Sequence, residues 1–239
     1  MALRNIRPLH VLWQITPDVN TLNGIYLGIW QILSMAGVTK EVEVKLLNQR
    51  RQSDWLNQNG GLKRYRSLDW HIELARRNSK KAGHLHGVAM LFSLGKDPAY
   101  KAEPAYEVVV VNEPLHWHEA SQRTIAGISL TNQSTIISLH DYLPFLRPVN
   151  GESSQDAKKR LSSFRLATRM ITVHELGHVF GLFPGTTNQN PNDRELTESH
   201  CPNECAMYCW ANDDLVQKIK DRPLCPSCLE KLKQWFVEP

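Results

Sequence analysis

The chain has 239 residues, 41% of them hydrophobic and 22% charged, with a formal net charge of +4, and this length allows one compact domain or two closely packed lobes. Its apolar runs are shorter than the roughly 18 to 20 residues that cross a bilayer, and its first residues lack a signal peptide's apolar stretch. These two features predict a cytoplasmic protein that binds no membrane. Because basic residues are interspersed with acidic ones, we also expect no binding of nucleic acid.

The first 150 residues alternate between predicted strands and predicted helices. β-Branched residues favour the strands, whereas apolar residues three and four apart favour the helices. The predicted strands are 9–15, 42–47, 87–92, 107–111, 125–130 and 135–139, and the predicted helices are 24–36 and 67–80. This alternation predicts an α/β (α+β) fold in which a mixed twisted sheet packs on helices.

The last two predicted strands are separated by a short polar segment, 131–134. Such a segment predicts a hairpin at the edge of the sheet. If the strand at 136–139 forms that edge, an extended peptide could add to it through backbone hydrogen bonds.

A long helix is predicted at about 156–181. The loop before it, 150–154, supplies a cap, whereas Gly181 and Pro184 end it. Two adjoining apolar stripes indicate packing on two sides and therefore a central position. We expect a single domain, 1–239, in which an N-terminal subdomain, 1–183, holds this helix and a C-terminal subdomain covers 184–239.

The central helix contains the sequence His174-Glu175-Leu176-Gly177-His178. Histidines four apart point the same way on a helix, which suits two ligands of one tetrahedral zinc ion. Glu175, next to the first ligand, could accept a proton from zinc-bound water and pass it to a leaving amine. The alternative is a helix whose polar face carries two histidines by coincidence.

All five cysteines fall in the last 39 residues, at positions 201, 205, 209, 225 and 228. Close pairs in a chain without an export signal indicate a metal site rather than disulfides. Cys201, Cys205, Cys225 and Cys228 form two such pairs and predict a closed, structural zinc site. Cys209 could replace Cys201 in this set, and reduced core cysteines are the alternative to any metal.

The motifs of residues 160–232 resemble those of the archaemetzincins, a branch of the metzincin metalloproteases. In that pattern the helix motif runs on to a glycine, and a third histidine precedes a cysteine, a methionine and a final cysteine pair. The matching residues are Gly181, His200-Cys201, Cys205-Ala206-Met207 and, 17 residues further on, Cys225-Pro226-Ser227-Cys228. The first 150 residues are compatible with the fold of this family.

Two departures from the family pattern concern the third ligand and the first cysteine pair. Between Gly181 and His200 lie 18 residues where the family usually has two, which implies an insertion of 16. Three residues rather than four separate Cys201 from Cys205. The resemblance favours His200 as the third zinc ligand, and the carboxylates that could replace it are Asp193, Glu195 and Glu198.

The resemblance implies a zinc-dependent peptidase, with one catalytic and one structural ion and a peptide or protein as substrate. It also implies that Met207 lies beneath the catalytic zinc without binding it. The alternative function is a non-catalytic zinc-binding relative that acts as an interaction or structural module. The remaining histidines of interest are expected to be solvated or satisfied in the core: His84, His86, His116, His118 and His140.

Overall fold

The computed structural model describes residues 2–15, 17–48, 67–117, 124–183, 200–208 and 213–237. Its strands are β1 (Leu9–Trp13), β2 (Val44–Asn48), β3 (Leu85–His86), β4 (Tyr106–Val111), β5 (Leu115–His116), β6 (Gly127–Leu130) and β7 (Ser134–Ser138). Its α-helices are α1 (Val19–Ala36), α2 (Leu68–Arg77), α3 (Gly87–Gly95), α4 (Pro98–Ala102), α5 (Ser154–Val179), α6 (Asp213–Ile219) and α7 (Pro226–Trp235). A 3₁₀ helix covers His140–Leu146.

The main sheet has the strand order β2-β1-β4-β7-β6. The first four of these strands are parallel to their neighbours, whereas β6 pairs with β7 in the antiparallel sense. The predicted hairpin is therefore confirmed. The predicted edge position of 136–139 is wrong, because β7 is hydrogen-bonded on both sides and β6 ends the sheet.

Both faces of the sheet are covered, and β4 shows this most clearly. All six of its residues are buried, and its five apolar residues alternate between two apolar cores. Tyr106, Val108 and Val110 face the core that includes α1, α5 and α7, whereas Val109 and Val111 face the core that includes α2 and α3. A continuous apolar run is typical of a parallel strand buried on both faces.

The prediction of a strand at 87–92 is wrong, because this segment forms the start of α3. The imidazole Nδ1 of His86 accepts a hydrogen bond from the backbone N–H of Ala89 at 3.2 Å and caps the helix. Met90, Leu91 and Leu94 then form the buried face, with helical rather than alternating spacing. The strand that precedes the helix is the two-residue β3.

The central helix α5 packs against α1 at unusually short range. Gly24 and Gly28 of α1 face Thr168 and Thr172 of α5, and a Cβ atom added at Gly28 would lie 2.6 Å from the Cβ of Thr172. The two threonine hydroxyls donate to carbonyls within α5 itself. Because Gly24 and Gly28 have no side chains, the two helices can pack closely at these positions.

The bounds of α5 agree with the predicted helix, and Gly181 lies just beyond its end with φ at +75°. The N–H of Leu182 donates to the carbonyl of Gly177, and the N–H of Gly181 donates to that of His178. This pair of bonds is a Schellman motif, which requires a left-handed residue. At its start, Ser153 caps the helix through a hydrogen bond from the N–H of Asp156.

Among the described helices, none combines the length and the apolar character that crossing a membrane would require. The division into subdomains at residue 183 stays a prediction.

Candidate metal centres

His174, His178 and His200 bring one side-chain nitrogen each to a common point, and we call this set the three-histidine centre. Their ligand atoms all lie within 4.8 Å of one another. The Nε2 atoms of His174 and His178 are 3.2 Å apart. Two zinc ligands at bond lengths of about 2.0 Å in tetrahedral geometry are separated by about 3.3 Å, so this spacing fits zinc.

Backbone carbonyls fix the orientation of the two helical imidazoles. Nδ1 of His174 lies 2.6 Å from the carbonyl oxygen of Ala206. Nδ1 of His178 lies 3.0 Å from that of Leu182 and 2.9 Å from that of Phe183. Because a carbonyl oxygen only accepts, each Nδ1 carries the proton and donates it, which leaves each Nε2 lone pair for a metal ion.

His174 and His178 are held in the neutral form that binds metal. Burial lowers the pKa of His174 and of His178 to about 4, and the neighbouring imidazoles lower it as well. Both side chains are therefore neutral at physiological pH. A neutral imidazole is the form that a metal ion requires, so no proton has to be displaced from Nε2.

Glu175 points from α5 towards the last strand of the sheet. The hydroxyl of Ser129 on β6 donates to Oε2 of Glu175 at 2.5 Å, and that of Thr135 on β7 lies 3.5 Å from the same oxygen. Burial raises the pKa of Glu175, whereas His178 and the two hydroxyls oppose that rise. The carboxyl group is thus fixed in position next to the three-histidine centre.

The backbone of β6 also passes close to this carboxyl group. A Cβ atom added at Gly127 would lie 2.4 Å from Oε1 of Glu175. Only glycine fits there without moving the carboxyl group. The sequence motifs gave no signal for Gly127, Ser129 or Thr135, because these residues are 40 or more positions away from Glu175 along the chain.

Met207 lies beneath α5 and is completely buried. A Cβ atom added at Gly177 would lie 2.3 Å from the Sδ atom of Met207. Gly177 therefore lets the methionine approach the helix at the turn between the two helical histidines. That Met207 supports a zinc ion from beneath stays a prediction of the family resemblance.

Cys201, Cys205, Cys225 and Cys228 also converge, and we call them the four-cysteine centre. Their Sγ atoms all lie within 4.8 Å of one another, and the cysteines are not paired in disulfides. The distances are 3.7 Å from Cys201 to Cys225 and 3.9 Å from Cys205 to Cys228. Zinc–sulfur bonds of about 2.3 Å in a tetrahedron separate the sulfurs by about 3.8 Å, so the centre fits zinc.

The thiols of this centre differ in acidity because they are hydrogen-bonded to one another. The contact with Cys228 lowers the pKa of Cys205 to about 5, and the same contact raises the pKa of Cys228. The backbone N–H of Asn203 donates to Sγ of Cys201 at 3.4 Å. Such a donor also stabilises a thiolate bound to a metal ion.

A single short loop connects the two centres. His200 and Cys201 are consecutive residues, yet their side chains belong to different centres. The N–H of Cys201 donates to the carbonyl of Met207 at 2.8 Å, and this closes the loop. The same loop supplies the Ala206 carbonyl that orients His174.

The other candidates from the sequence do not add to these centres. Within the described ranges, only the three-histidine and four-cysteine sets have the spacing for a metal ion. His84, His86 and His116 lie near one another, with ring centroids 5.2 Å apart for the closer pair, and His140 is exposed. The remaining candidates lie outside the described residues: His118, Asp193, Glu195, Glu198 and Cys209.

The fold built from this sheet and its central helix has a counterpart among solved structures. The crystal structure of archaemetzincin from Methanopyrus kandleri at 1.5 Å resolution matches this chain with a TM-score of 0.53. The match covers 97% of this chain and 96% of that one, at 16% sequence identity. The chain therefore has an archaemetzincin-like fold, which confirms the resemblance predicted from the motifs and extends it to the first 150 residues.

The sequence alone gives no such match: no family model fits the chain, and no curated protein is significantly similar to it.

Proposed function

We propose that this chain is a zinc-dependent peptidase whose catalytic ion is bound by His174, His178 and His200. The observation that supports this most directly is the convergence of three imidazoles, two of them held neutral, beside one buried carboxyl group. Three protein ligands leave a fourth tetrahedral position open, which is typical of catalytic rather than structural zinc. The four-cysteine centre, with its ligands complete, is proposed to hold a second, structural ion.

Zinc at such a site polarises a scissile carbonyl and lowers the pKa of a bound water to near 7. Glu175 is proposed as the general base and acid, which accepts the proton of the attacking water and donates it to the leaving amine. The raised pKa of Glu175 suits this role, because a carboxylate that binds a proton more tightly is the stronger base towards the attacking water. Ser129 and Thr135 hold its carboxyl group during both transfers.

The last strand of the sheet, β6, is proposed to bind the substrate. It lies next to Glu175 through Ser129, and over Gly127–Leu130 its outer edge pairs with no strand among the described residues, whereas Ile125 just before it bridges to Leu115. An extended peptide or protein segment could pair with this edge through backbone hydrogen bonds, which need little sequence information. A β-strand pairing would present successive peptide bonds to the metal centre.

The role of Glu175 is tested with Glu175→Gln. We expect the loss of at least about 100-fold in kcat/KM on a mixture of fluorogenic peptides, because general acid–base catalysis contributes that much or more. Metal analysis should show two zinc ions in both the variant and the wild type. Peptide hydrolysis that persists in Glu175→Gln would refute the mechanism.

The third ligand is tested by metal analysis of His200→Ala. Two zinc ions per chain should fall to one, with the four-cysteine centre retained. Two ions in this variant would instead indicate a ligand from the segment before His200. A wild type that binds both ions but cleaves no peptide would favour the alternative function, a non-catalytic zinc-binding module.

A further inference from the structure

A cavity lies between α2 and α3, on the face of the sheet opposite to α5. Its volume is about 370 Å³. Its walls are largely apolar and aromatic, and its lining also includes one lysine and three other polar residues. The apolar lining consists of Trp70, Leu74, Ala89, Phe92 and Pro98, and the lysine is Lys96. Cavities with apolar walls and a few convergent polar groups are typical of small-molecule sites.

The three other polar residues of this cavity are Ser93, His71 and Asp97, and they form a hydrogen-bonded chain. Ser93 Oγ lies 3.0 Å from Nδ1 of His71, and Nε2 of His71 lies 3.0 Å from Oδ2 of Asp97. The side chains of His71 and Asp97 are 1% and 0% exposed, whereas Ser93 is half-buried. The hydroxyl is thus the accessible end of a buried relay.

The distances match those of an activated nucleophile. A nucleophile, a base within about 2.6 to 3.2 Å and a third group that orients the base are the elements of serine hydrolases, which are recognised by geometry rather than by sequence position. With Asp97 ionised, Nε2–H of His71 donates to its carboxylate, and Nδ1 is left to accept the hydroxyl proton of Ser93. In the structure the Ser93 hydroxyl donates to the carbonyl of Met90 at 2.9 Å, so this proton must turn towards Nδ1 of His71 for the reaction.

We propose that Ser93, His71 and Asp97 form a second, metal-independent nucleophilic site that reacts with small aromatic or aliphatic carboxylic esters. The oxygen of Ser93 forms a bond to the ester carbonyl carbon while its proton passes to Nδ1 of His71. His71 then returns that proton to the departing alcohol, and an acyl-serine remains. Water, deprotonated by His71, cleaves the acyl-serine to release the acid and restore the hydroxyl.

Two features of the cavity select this class of substrate. The walls formed by Trp70, Leu74 and Phe92 suit an apolar or aromatic acyl group. Lys96, one helical turn after Ser93, brings a positive charge that stabilises the negative oxygen of the tetrahedral intermediate.

The experiment uses a fluorophosphonate, which bonds to an activated serine through phosphorus with the loss of fluoride. The full-length, zinc-loaded chain is labelled in the Glu175→Gln background, so that ester or peptide hydrolysis at the other centre plays no part. Intact mass and peptide mapping should show one adduct, on Ser93. Ser93→Ala should abolish it, and His71→Gln should slow it by at least about 100-fold.

The chain offers a matched control in Ser79, whose hydroxyl lies 2.9 Å from Nε2 of His116 outside this cavity. Ser79→Ala should leave the adduct unchanged, and thermal unfolding should show that all variants are folded. The proposal is overturned if Ser93 is not labelled, if Ser79 is labelled equally, or if a folded His71→Gln reacts at the wild-type rate. If His71→Gln does not fold, mapping of the adduct on the parent chain decides alone.

Discussion

The three-histidine and four-cysteine centres are neighbours that share a loop, but they differ in the number and the exposure of their ligands. The histidines are partly exposed and number three, so one position remains for water or substrate. The cysteines number four and are mostly buried, so their ion would be closed to solvent. Under the proposed function, the incomplete ligand set serves catalysis and the complete one serves stability.

Cys228→Ser should have the largest effect, because both centres depend on the shared loop and should be lost together. Cys228 is completely buried. Structural zinc contributes on the order of 10 kcal/mol to small zinc domains, so we expect the C-terminal segment to unfold. Metal analysis should show the loss of both ions together with a large fall in Tm.

His178→Ala is the matched control for that variant. It should lose one ion and retain most of the Tm, since the four-cysteine centre stays complete. A Cys228→Ser protein that kept its full histidine-bound zinc would show the two centres to be independent.

Acid should destabilise the protein through the histidine centre when that centre holds no metal and the four-cysteine centre keeps its ion. His174 and His178 have a folded pKa of about 4, against about 6.5 for unfolded histidine, so the unfolded chain binds more protons between these values. The free energy of unfolding should therefore fall as the pH falls from about 6.5 to about 4, by up to on the order of 3 kcal/mol per histidine.

Urea unfolding at a series of pH values, with protein that holds one zinc ion per chain at the four-cysteine centre, measures this effect. The variant His174→Gln should lose its share of the slope. An unchanged slope would place its origin elsewhere in the molecule.

Gly177→Ala, compared with a second glycine substitution, should distinguish the general cost of overpacking from a specific effect of Met207 on zinc binding. The added methyl group would lie 2.3 Å from Sδ of Met207, and overpacking of this kind costs about 1 to 3 kcal/mol. Gly28→Ala, which would crowd Thr172 at 2.6 Å, is the matched control. Both should lower Tm, but only Gly177→Ala should also weaken zinc binding, as measured by competition with a chelator. Equal zinc affinity in the two variants would contradict a supporting role for Met207.

Ser129→Ala should have the smallest effect, and it tests how the carboxyl group beside the three-histidine centre is controlled. The lost hydroxyl is a donor that lowers the pKa of Glu175, so its removal should raise that pKa further. Because the base must be deprotonated to act, the acidic limb of the kcat/KM profile should move to higher pH. A profile that stays in place would show that Ser129 does not act on the carboxyl group.

The parts of the site that the sequence could predict are local in the chain. The spacing of His174 and His178 predicts a common direction on any helix, and the cysteine pairs predict a tetrahedral set whatever precedes them. Ser129 and Gly127 could not be found in this way, because their relation to Glu175 arises only when β6 packs against α5. A lone serine in a strand has no chemical signature.

The fold shows the same limit in two places. The apolar run from Gly87 to Phe92 fits a strand or a buried helix equally well, and the decisive cap by His86 depends on side-chain geometry. The sequence of β7 is typical of a buried strand and fits an edge or an interior position equally well. Its position in the sheet depends on its pairing with β4 and β6. Pairing partners are a property of the whole chain rather than of the segment.

His200 directly precedes Cys201 in the chain. This adjacency explains how the chain can differ in length from the family pattern just before its proposed third ligand. If Cys201 is anchored from the C-terminal side, the position of His200 does not depend on the number of residues since Gly181. The entropy of closing such a connection rises only slowly with its length. We therefore expect the segment before His200 to be shortened or lengthened in engineered variants without loss of the histidine-bound ion, which makes it a natural place to graft new recognition sequences.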